Sequence, residues 1–161
     1  VDKRQALFSA LIEETEAGLA GRALDVRLPV DGTLLTGRFD VALSVRILVN
    51  LVENAHKYAP SASPIRVEAD RRGSKLCIAV SDRGPGVEEA EVDRIFTPFY
   101  RPLSAPADRG SAGLGLALCR RMAELQRGRL TYAPHPGGGS IFLLELPAEA
   151  LPDEAGAGRP L

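Results

Sequence analysis

The residues of this chain best suited to chemistry are Asn50, Asn54 and Lys57, which lie within one predicted helix. At about 100° per residue they share a narrow stripe with Arg46, and apolar residues fill the opposite face. Two asparagines on one stripe cost about 1 kcal/mol relative to alanine, because the amide competes for backbone hydrogen bonds. Amide oxygens suit Mg²⁺, and a lysine one turn further suits phosphate. The stripe indicates a phosphate and metal site, the alternative being a solvated helix face.

A second candidate cluster is the acidic, glycine-rich stretch Asp-Arg-Gly-Pro-Gly at residues 82–86, which directly follows a predicted strand. Glycines two positions apart let the backbone approach a flat ligand closely. The carboxylate of Asp82 can accept a hydrogen bond from an exocyclic amine. By itself this signal is weak, because Asp-x-Gly-x-Gly also forms ordinary turns.

A third cluster, Gly-Ser-Ala-Gly-Leu-Gly-Leu at residues 110–116, opens a predicted helix. The amides and the dipole at a helix N-terminus favour phosphate, although a flexible loop before a helix would read similarly. The glycines of residues 137–140 are most simply a hairpin turn. The chain has no P-loop, Rossmann or nucleophile-elbow pattern. Nucleotide binding would therefore need another architecture.

Hydrophobic periodicity, caps and turn residues predict the elements that must position these clusters. Helices are predicted at residues 7–19, 40–58 and 113–126, with short helical turns within 88–100 and Asp40 and Gly128 as caps. Strands are predicted at 24–28, 34–36, 65–70, 75–81, 129–133 and 140–146, with turns at 71–74 and 137–139 and a loop at 102–111. The order of elements favours an α+β fold, a mixed sheet with helices on one face.

Composition narrows the class of protein. The 161 residues are 45% hydrophobic and 25% charged, as in one ordinary globular domain. The net charge of −1 without a basic block argues against a nucleic-acid partner. Cys77 and Cys119 lie in apolar runs and are predicted to be buried thiols of a cytoplasmic protein. His56 and His135 lack ligand-like neighbours, which argues against zinc, and no run approaches the ~20 apolar residues of a membrane span.

In this order, the clusters resemble the catalytic ATP-binding domain of bacterial sensor histidine kinases. That domain has the Bergerat fold, shared with type II topoisomerases, Hsp90 chaperones and mismatch-repair ATPases. The matching segments are the N-box at 50–60, the first glycine box at 82–86, the F-box Phe-Thr-Pro-Phe-Tyr-Arg at 96–101, the second glycine box at 113–116 and the glycine-rich turn at 137–140. The resemblance covers roughly residues 22–147. It implies a two-layer α/β sandwich whose mixed sheet is mainly antiparallel.

The resemblance also implies roles for the N-box residues. Asn54 would coordinate the Mg²⁺ that bridges the phosphates of ATP, and Asn50 would support the metal or its waters. Lys57 would contact phosphate, and Tyr58 would lie against the nucleotide.

The glycine boxes would hold the rest of the nucleotide. Asp82 would accept the adenine amino group, and Gly84 and Gly86 would leave room for the ring. Contacts to the nucleotide, chiefly to its phosphates, are expected from the second glycine box and the lid before it, at Arg101, Arg109, Gly110, Gly113, Leu114, Gly115 and Leu116.

One position separates branches of this superfamily. The topoisomerase and chaperone branches carry a glutamate where Asn50 stands, and that glutamate activates the hydrolytic water. Asparagine cannot act as a general base. The resemblance therefore implies transfer of the γ-phosphoryl group to a histidine, with little ATPase activity.

The second glycine box departs from the family pattern. Ser111 stands where many kinases have glycine, Ala112 follows it, and the short loop 102–110 holds two prolines. A nucleotide-sensing pseudokinase module thus stays open as an alternative, as does a serine kinase of the anti-sigma-factor type. The complete F-box and the Lys-Tyr pair after the N-box favour the histidine kinase.

The resemblance sets expectations for domains and partners. Residues 1–16 are expected to end a helix of an upstream dimerisation domain, residues 17–148 to form the catalytic domain, and residues 149–161 to be a disordered tail. Neither His56 nor His135 has the context of the phosphorylated histidine, which is expected on that upstream domain. The fragment is expected to be monomeric and not to autophosphorylate, and a response regulator is the expected downstream partner. Whether the parent protein is membrane-anchored stays open.

Overall fold

The computed structural model describes residues 13, 24–27, 39–59, 63–100 and 115–147. Within these residues the strands are β1 (Leu24–Arg27), β2 (Ile65–Arg72), β3 (Lys75–Asp82), β4 (Arg129–Pro134) and β5 (Ser140–Pro147). The helices are α1 (Val41–Tyr58), a 3₁₀ helix (Glu89–Arg94) and α2 (Gly115–Leu125). None of the helices in this part of the chain is both long and apolar enough to span a bilayer.

The five strands form one sheet in the order β1-β2-β3-β5-β4. The β1–β2 pair is parallel, and the β2–β3, β3–β5 and β4–β5 pairs are antiparallel. The predicted mixed, mainly antiparallel sheet is therefore confirmed. Because β5 lies between β3 and β4, the C-terminal end of β3 and the turn between β4 and β5 meet at the same end of the strands.

One apolar layer joins the sheet to the helices. Strand β2 alternates, with Ile65, Val67 and Ala69 buried and the residues between them half-buried or exposed. The core continues through both helices and the two central strands, with members that include Ile47, Leu48, Leu51, Val52, Cys119, Ala123, Leu76, Ile78, Val80, Phe142, Leu144 and Leu146. Alternation on the strands and a helical stripe on α1 and α2 thus place the helices on one face, as predicted.

Helix α1 begins and ends where the sequence predicts. The carboxylate of Asp40 accepts a hydrogen bond from the Leu43 amide at 3.0 Å, which is an N-cap. The side-chain oxygen of Gln126 accepts from the Asp40 amide at 2.8 Å and from the Ser44 hydroxyl at 3.2 Å. At the other end Ala59 is extended, as expected for a residue before proline. Gln126 therefore ties the start of α1 to the end of α2.

The end of α2 differs from the prediction that Gly128 is its cap. The residue in the left-handed conformation is Arg127, with φ of 61°, while the Gly128 amide donates to the carbonyl of Ala123 at 2.8 Å. A Cβ on Gly128 would lie 2.5 Å from the carbonyl oxygen of Glu145. The glycine is needed because the chain passes against β5 there, a close approach that local sequence does not reveal.

Several boundaries differ by one or two residues. The ladder pairs Arg72 with Lys75, so the predicted turn at 71–74 shortens to Gly73 and Ser74, with φ of 60° at Gly73. This is the position that type II′ hairpin turns reserve for glycine. The following predicted features lie outside the described residues: the helix at 7–19 apart from Glu13, the strand 34–36, the loop 102–111 and the tail 149–161.

Candidate functional site

The polar stripe predicted on α1 lies at the border between core and surface. Asn50, Asn54 and Lys57 are half-buried, whereas Arg46 and Glu53 are exposed. Three of the four predicted stripe residues can therefore face a ligand while the adjoining turns of the helix stay packed in the core.

Asn50 also faces α2, at a residue that the sequence did not connect with the site. The Cys119 thiol is fully buried and lies 3.8 Å from the carbonyl oxygen of Ile47, one turn before Asn50. Burial raises the pKa of Cys119 to about 12, and a hydrogen bond from the Asn50 side chain partly opposes that rise. The prediction of a buried thiol is confirmed, and its contact with the N-box comes from the packing of α1 against α2.

Asp82 lies at the end of β3, which is one residue longer than the predicted strand, and only 6% of it is exposed. Its Oδ1 accepts a hydrogen bond from the Gly84 amide at 2.7 Å. A buried carboxylate needs such donors, since an unpaired charge would be costly there. The loop after β3 thus curls back onto the carboxylate and holds it in one orientation.

Gly84 joins the first glycine box to the end of α1. A Cβ at this position would lie 2.9 Å from Asp82 Oδ1, 3.1 Å from the carbonyl oxygen of Tyr58 and 3.3 Å from the Cα of Ala59. The φ of Gly84 is not in the left-handed region, so glycine is required for space and not for backbone conformation. The structure therefore brings Asp82 and Gly84 together with the last turn of α1, which carries Lys57 and Tyr58.

The other side of the same loop rests on the turn between β4 and β5. Gly86 has φ of 72°, and its Cβ would lie 3.1 Å from the carbonyl oxygen of Gly139. The Val87 amide donates to the Tyr132 hydroxyl at 3.0 Å. Gly139, at φ of 117°, is so close that a Cβ there would overlap the carbonyl oxygen of Asp82. The loop of residues 82–87 is therefore held between α1 and this turn.

Two further residues, neither of them among the predicted site residues, join the turn to Asp82. Arg83 Nη1 donates to the carbonyls of Pro136 at 2.5 Å and Gly138 at 3.2 Å. His135 Nδ1 lies 3.2 Å from the carbonyl oxygen of Asp82. The available signal was the run of three glycines, which is more than a simple hairpin requires.

The F-box is anchored at one aromatic residue and exposed at another. The Phe96 ring meets the Phe142 ring edge-on at 6.2 Å, and the Arg120 guanidinium lies 4.9 Å from the centre of the Phe96 ring. Phe99 is 71% exposed and has φ of 66°. Phe96 thus fixes this segment to β5 and α2, while Phe99 presents its ring to solvent.

The second glycine box is described only in part. Gly115 and Leu116 form the start of α2, and Leu116 packs against the core. The other residues predicted to contact the nucleotide lie outside the described residues, namely Arg101, Arg109, Gly110, Gly113 and Leu114. Their contacts stay predictions.

The donor set can be tested against a magnesium nucleotide. Among the described residues, no group of three or more histidine, cysteine or acidic side chains is arranged so that it could hold a metal ion. Mg²⁺ needs no such cluster, because it keeps several waters and binds through one or two protein oxygens plus substrate phosphates. Two half-buried amides at Asn50 and Asn54 fit that requirement, and Lys57 lies on the same turn of α1 as Asn54.

The profile of the family described as histidine kinase-, DNA gyrase B- and HSP90-like ATPase matches residues 40–150. The chain belongs to this family. It is 34% identical over 149 residues to the sensor protein KdpD of Escherichia coli (strain K12), a match that covers 92% of the chain and 16% of KdpD. It is 40% identical over 118 residues to the sensor-like histidine kinase SenX3 of Mycobacterium tuberculosis, covering 71% of the chain and 29% of SenX3.

Solved structures agree. The mycobacterial sensor histidine kinase MprB superposes with a TM-score of 0.73 at 21% identity, over 91% of this chain and 97% of that one. Full-length ShkA superposes with a TM-score of 0.70 at 27% identity, over 94% of this chain and 32% of ShkA. The predicted Bergerat fold and the resemblance to sensor histidine kinases are confirmed. The chain spans well under half the length of KdpD and SenX3.

Proposed function

We propose that this domain binds Mg·ATP and transfers the γ-phosphoryl group to a histidine on a dimerisation domain upstream in the parent protein, within a two-component pathway that ends on a response regulator. The observation that carries this proposal is the contact of the Asp82–Gly84 loop with the last turn of α1. That contact brings Asp82, the proposed adenine-binding residue, near the last turn of α1, which carries Lys57, the proposed phosphate-binding residue. The family supports it, and the solved structure of ShkA is a complex with AMPPNP.

Asp82 is the group proposed to select the base. An ionised carboxylate can only accept hydrogen bonds. Adenine carries an exocyclic amine that donates, whereas guanine has a carbonyl that accepts at the equivalent position. One oxygen of Asp82 already accepts a hydrogen bond from the Gly84 amide, which sets the direction of the buried carboxylate. Asp82 should therefore favour adenine and repel guanine.

The polar face of α1 is the proposed phosphate end. The amide oxygens of Asn54 and Asn50 would hold Mg²⁺, and the Lys57 ammonium would contact phosphate. When bound, the metal neutralises charge on the transferring phosphoryl group. Asn50 supplies no general base, so the domain orients ATP without activating water. Catalysis then comes from positioning, with the nucleophile supplied by the acceptor histidine.

Calorimetric titration of the chain with ATP and ADP, with and without Mg²⁺, tests the binding step, with GTP as the control nucleotide. Adenine nucleotides should bind, and ATP binding should depend on Mg²⁺. Asp82→Asn should narrow the preference for ATP over GTP about tenfold or more, whereas Asp70→Asn, an exposed change on β2, should not. Asn54→Ala should abolish the Mg²⁺ dependence. No binding at millimolar ATP would show the proposal to be wrong.

The transfer step has its own test. With radiolabelled ATP the chain alone should stay unlabelled and release phosphate slowly, and label should appear on the parent's dimerisation domain when that domain is added. Acid-labile label on that domain supports histidine transfer. Acid-stable label on a serine would instead favour the serine-kinase alternative, and stable label on this chain itself would contradict the proposal.

A further inference from the structure

Arg83 is an exposed residue of the first glycine box whose side chain donates two hydrogen bonds to the turn between β4 and β5. Arg83 follows Asp82 directly, but the Asp82 residue is buried whereas Arg83 is exposed. One nitrogen, Nη1, donates to two carbonyls of the same turn, those of Pro136 and Gly138, at 2.5 and 3.2 Å. Hydrogen bonds from an ionised donor are about twice as strong as neutral ones. A solvated surface arginine would not converge on two backbone oxygens.

The turn that Arg83 contacts has little rigidity of its own. Gly137, Gly138 and Gly139 all have positive φ, at 85°, 111° and 117°. Glycine loses more conformational freedom on folding than any other residue, so three in succession make a turn that must be held from outside. Within the turn, the Gly138 amide donates to the carbonyl of His135 and the His135 amide donates to the carbonyl of Gly139. Arg83 binds two carbonyls of the same segment.

His135 makes the matching contact in the other direction. Its Nδ1 lies 3.2 Å from the carbonyl oxygen of Asp82, so Nδ1 carries the hydrogen and donates. Gly139 packs against that same carbonyl oxygen. The peptide after Asp82 is therefore fixed to the β4–β5 turn by His135, by Gly139 and by the Arg83 side chain. Rotation of this peptide would move the Asp82 carboxylate and break its hydrogen bond from Gly84.

We propose that Arg83 and His135 are positioning residues for base recognition, which lock the β4–β5 turn against the Asp82 loop and so fix the direction of the Asp82 carboxylate. The proposal rests on the proposed function, since it concerns how Asp82 comes to select adenine. Neither side chain touches the nucleotide in this role. Both act through the peptide that joins Asp82 to Arg83.

The test compares Arg83→Ala and Arg83→Lys with Arg129→Ala. Arg129 is an exposed arginine at the far end of the sheet, with no ion pair among the described residues. Arg83→Ala should raise the Kd for ATP about tenfold and narrow the preference for ATP over GTP, because one charge-assisted anchor is lost. Arg83→Lys should recover part of both, and Arg129→Ala should change neither by more than about twofold. His135→Ala should act like Arg83→Ala, and His135→Asn, which keeps a donor, should act more weakly.

A second measurement does not depend on nucleotide. In the nucleotide-free protein, hydrogen exchange at the Gly84 amide should be about tenfold faster in Arg83→Ala than in Arg129→Ala, since that amide donates to Asp82. Unchanged Gly84 exchange would overturn the inference even if ATP binds. A fall in melting temperature with an unchanged ATP-to-GTP ratio would also overturn it, because Arg83 would then only stabilise the fold. If the wild-type chain bound no ATP, the proposed function would fail, and Gly84 exchange would still decide whether the lock exists.

Discussion

Replacing Gly84 with alanine would place a methyl group between the two halves of the candidate site. The new Cβ would lie 2.9 Å from Asp82 Oδ1, 3.1 Å from the carbonyl oxygen of Tyr58 and 3.3 Å from the Cα of Ala59. The first partner is the end of a side chain and can rotate away. The other two belong to the backbone after α1 and move only with the helix end. The steric contact will therefore be relieved mainly by movement of the Asp82 side chain.

The size of the effect follows from these contacts. Gly84 is not in the left-handed region, so alanine brings no backbone strain. Rotation of Asp82 gives up the 2.7 Å hydrogen bond from the Gly84 amide, and a bond to a charged group contributes about 1.5–3 kcal/mol. Alanine offsets about 0.4–1 kcal/mol of this by restricting the unfolded chain. The expected loss of stability is about 1–2 kcal/mol, and ATP affinity should fall about tenfold or more because the carboxylate is displaced.

The matched control is Gly73→Ala in the turn between β2 and β3. Gly73 has φ of 60° and no atom within 4 Å of its Cβ position, so alanine there adds backbone strain of about 1–2 kcal/mol without any steric contact. The two variants should lose similar stability in urea denaturation. In calorimetry Gly84→Ala alone should lose ATP affinity.

Two outcomes would refute this reasoning. If Gly84→Ala kept wild-type stability and affinity, the close approach of the loop to α1 would not exist in solution. If it lost stability as Gly73→Ala does but kept ATP affinity, the orientation of Asp82 would not matter for binding.

The other predictions concern the end of α2 and the buried thiols. Gly128→Ala should lower the free energy of unfolding by about 2–3 kcal/mol in urea denaturation, because its Cβ would press on the carbonyl of Glu145. Arg127→Gly should raise that free energy by about 0.5–1 kcal/mol, because glycine adopts the left-handed backbone without strain. A loss of stability in Arg127→Gly would contradict this account of the helix end. Burial raises the pKa of Cys119 to about 12 in the folded chain, from 9.0 for an unperturbed thiol. The folded state therefore holds the thiol proton more tightly than the unfolded chain does. The contribution of this thiol to the free energy of unfolding is fully present below pH 9, and it should fall by up to about 1.4 kcal/mol per pH unit as the pH rises towards 12. Urea denaturation of Cys119→Ala over the same pH range should show a shallower fall in the free energy of unfolding than the wild type does. An equal slope in the two proteins would show that the Cys119 thiol does not contribute. Burial also raises the pKa of Cys77, which is present in both proteins.

Local pattern determined the elements of this protein well. Helix α1 is bounded by its own residues, an aspartate that caps its start and a proline after its end, and its apolar stripe is continuous. The β2–β3 and β4–β5 hairpins join strands that are neighbours in sequence, so alternation and turn glycines were enough to predict them. The ordered clusters of asparagine, aspartate and glycine indicate the family from the sequence alone, because each element end carries its own polar residues.

Tertiary structure alone decided how those ends meet. The insertion of β5 between β3 and β4 brings His135 against Asp82, 53 positions earlier in the chain. It also brings Arg83 against Pro136 and Gly138, which lie 53 and 55 positions later. The packing of α1 on α2 sets Cys119 beside Asn50, through a thiol contact that spans 72 positions. The need for glycine at residues 84, 128 and 139 comes from close backbone approaches of the same kind. Such contacts depend on how whole elements pack, and a residue's near neighbours in sequence carry no record of what lies across the fold from it.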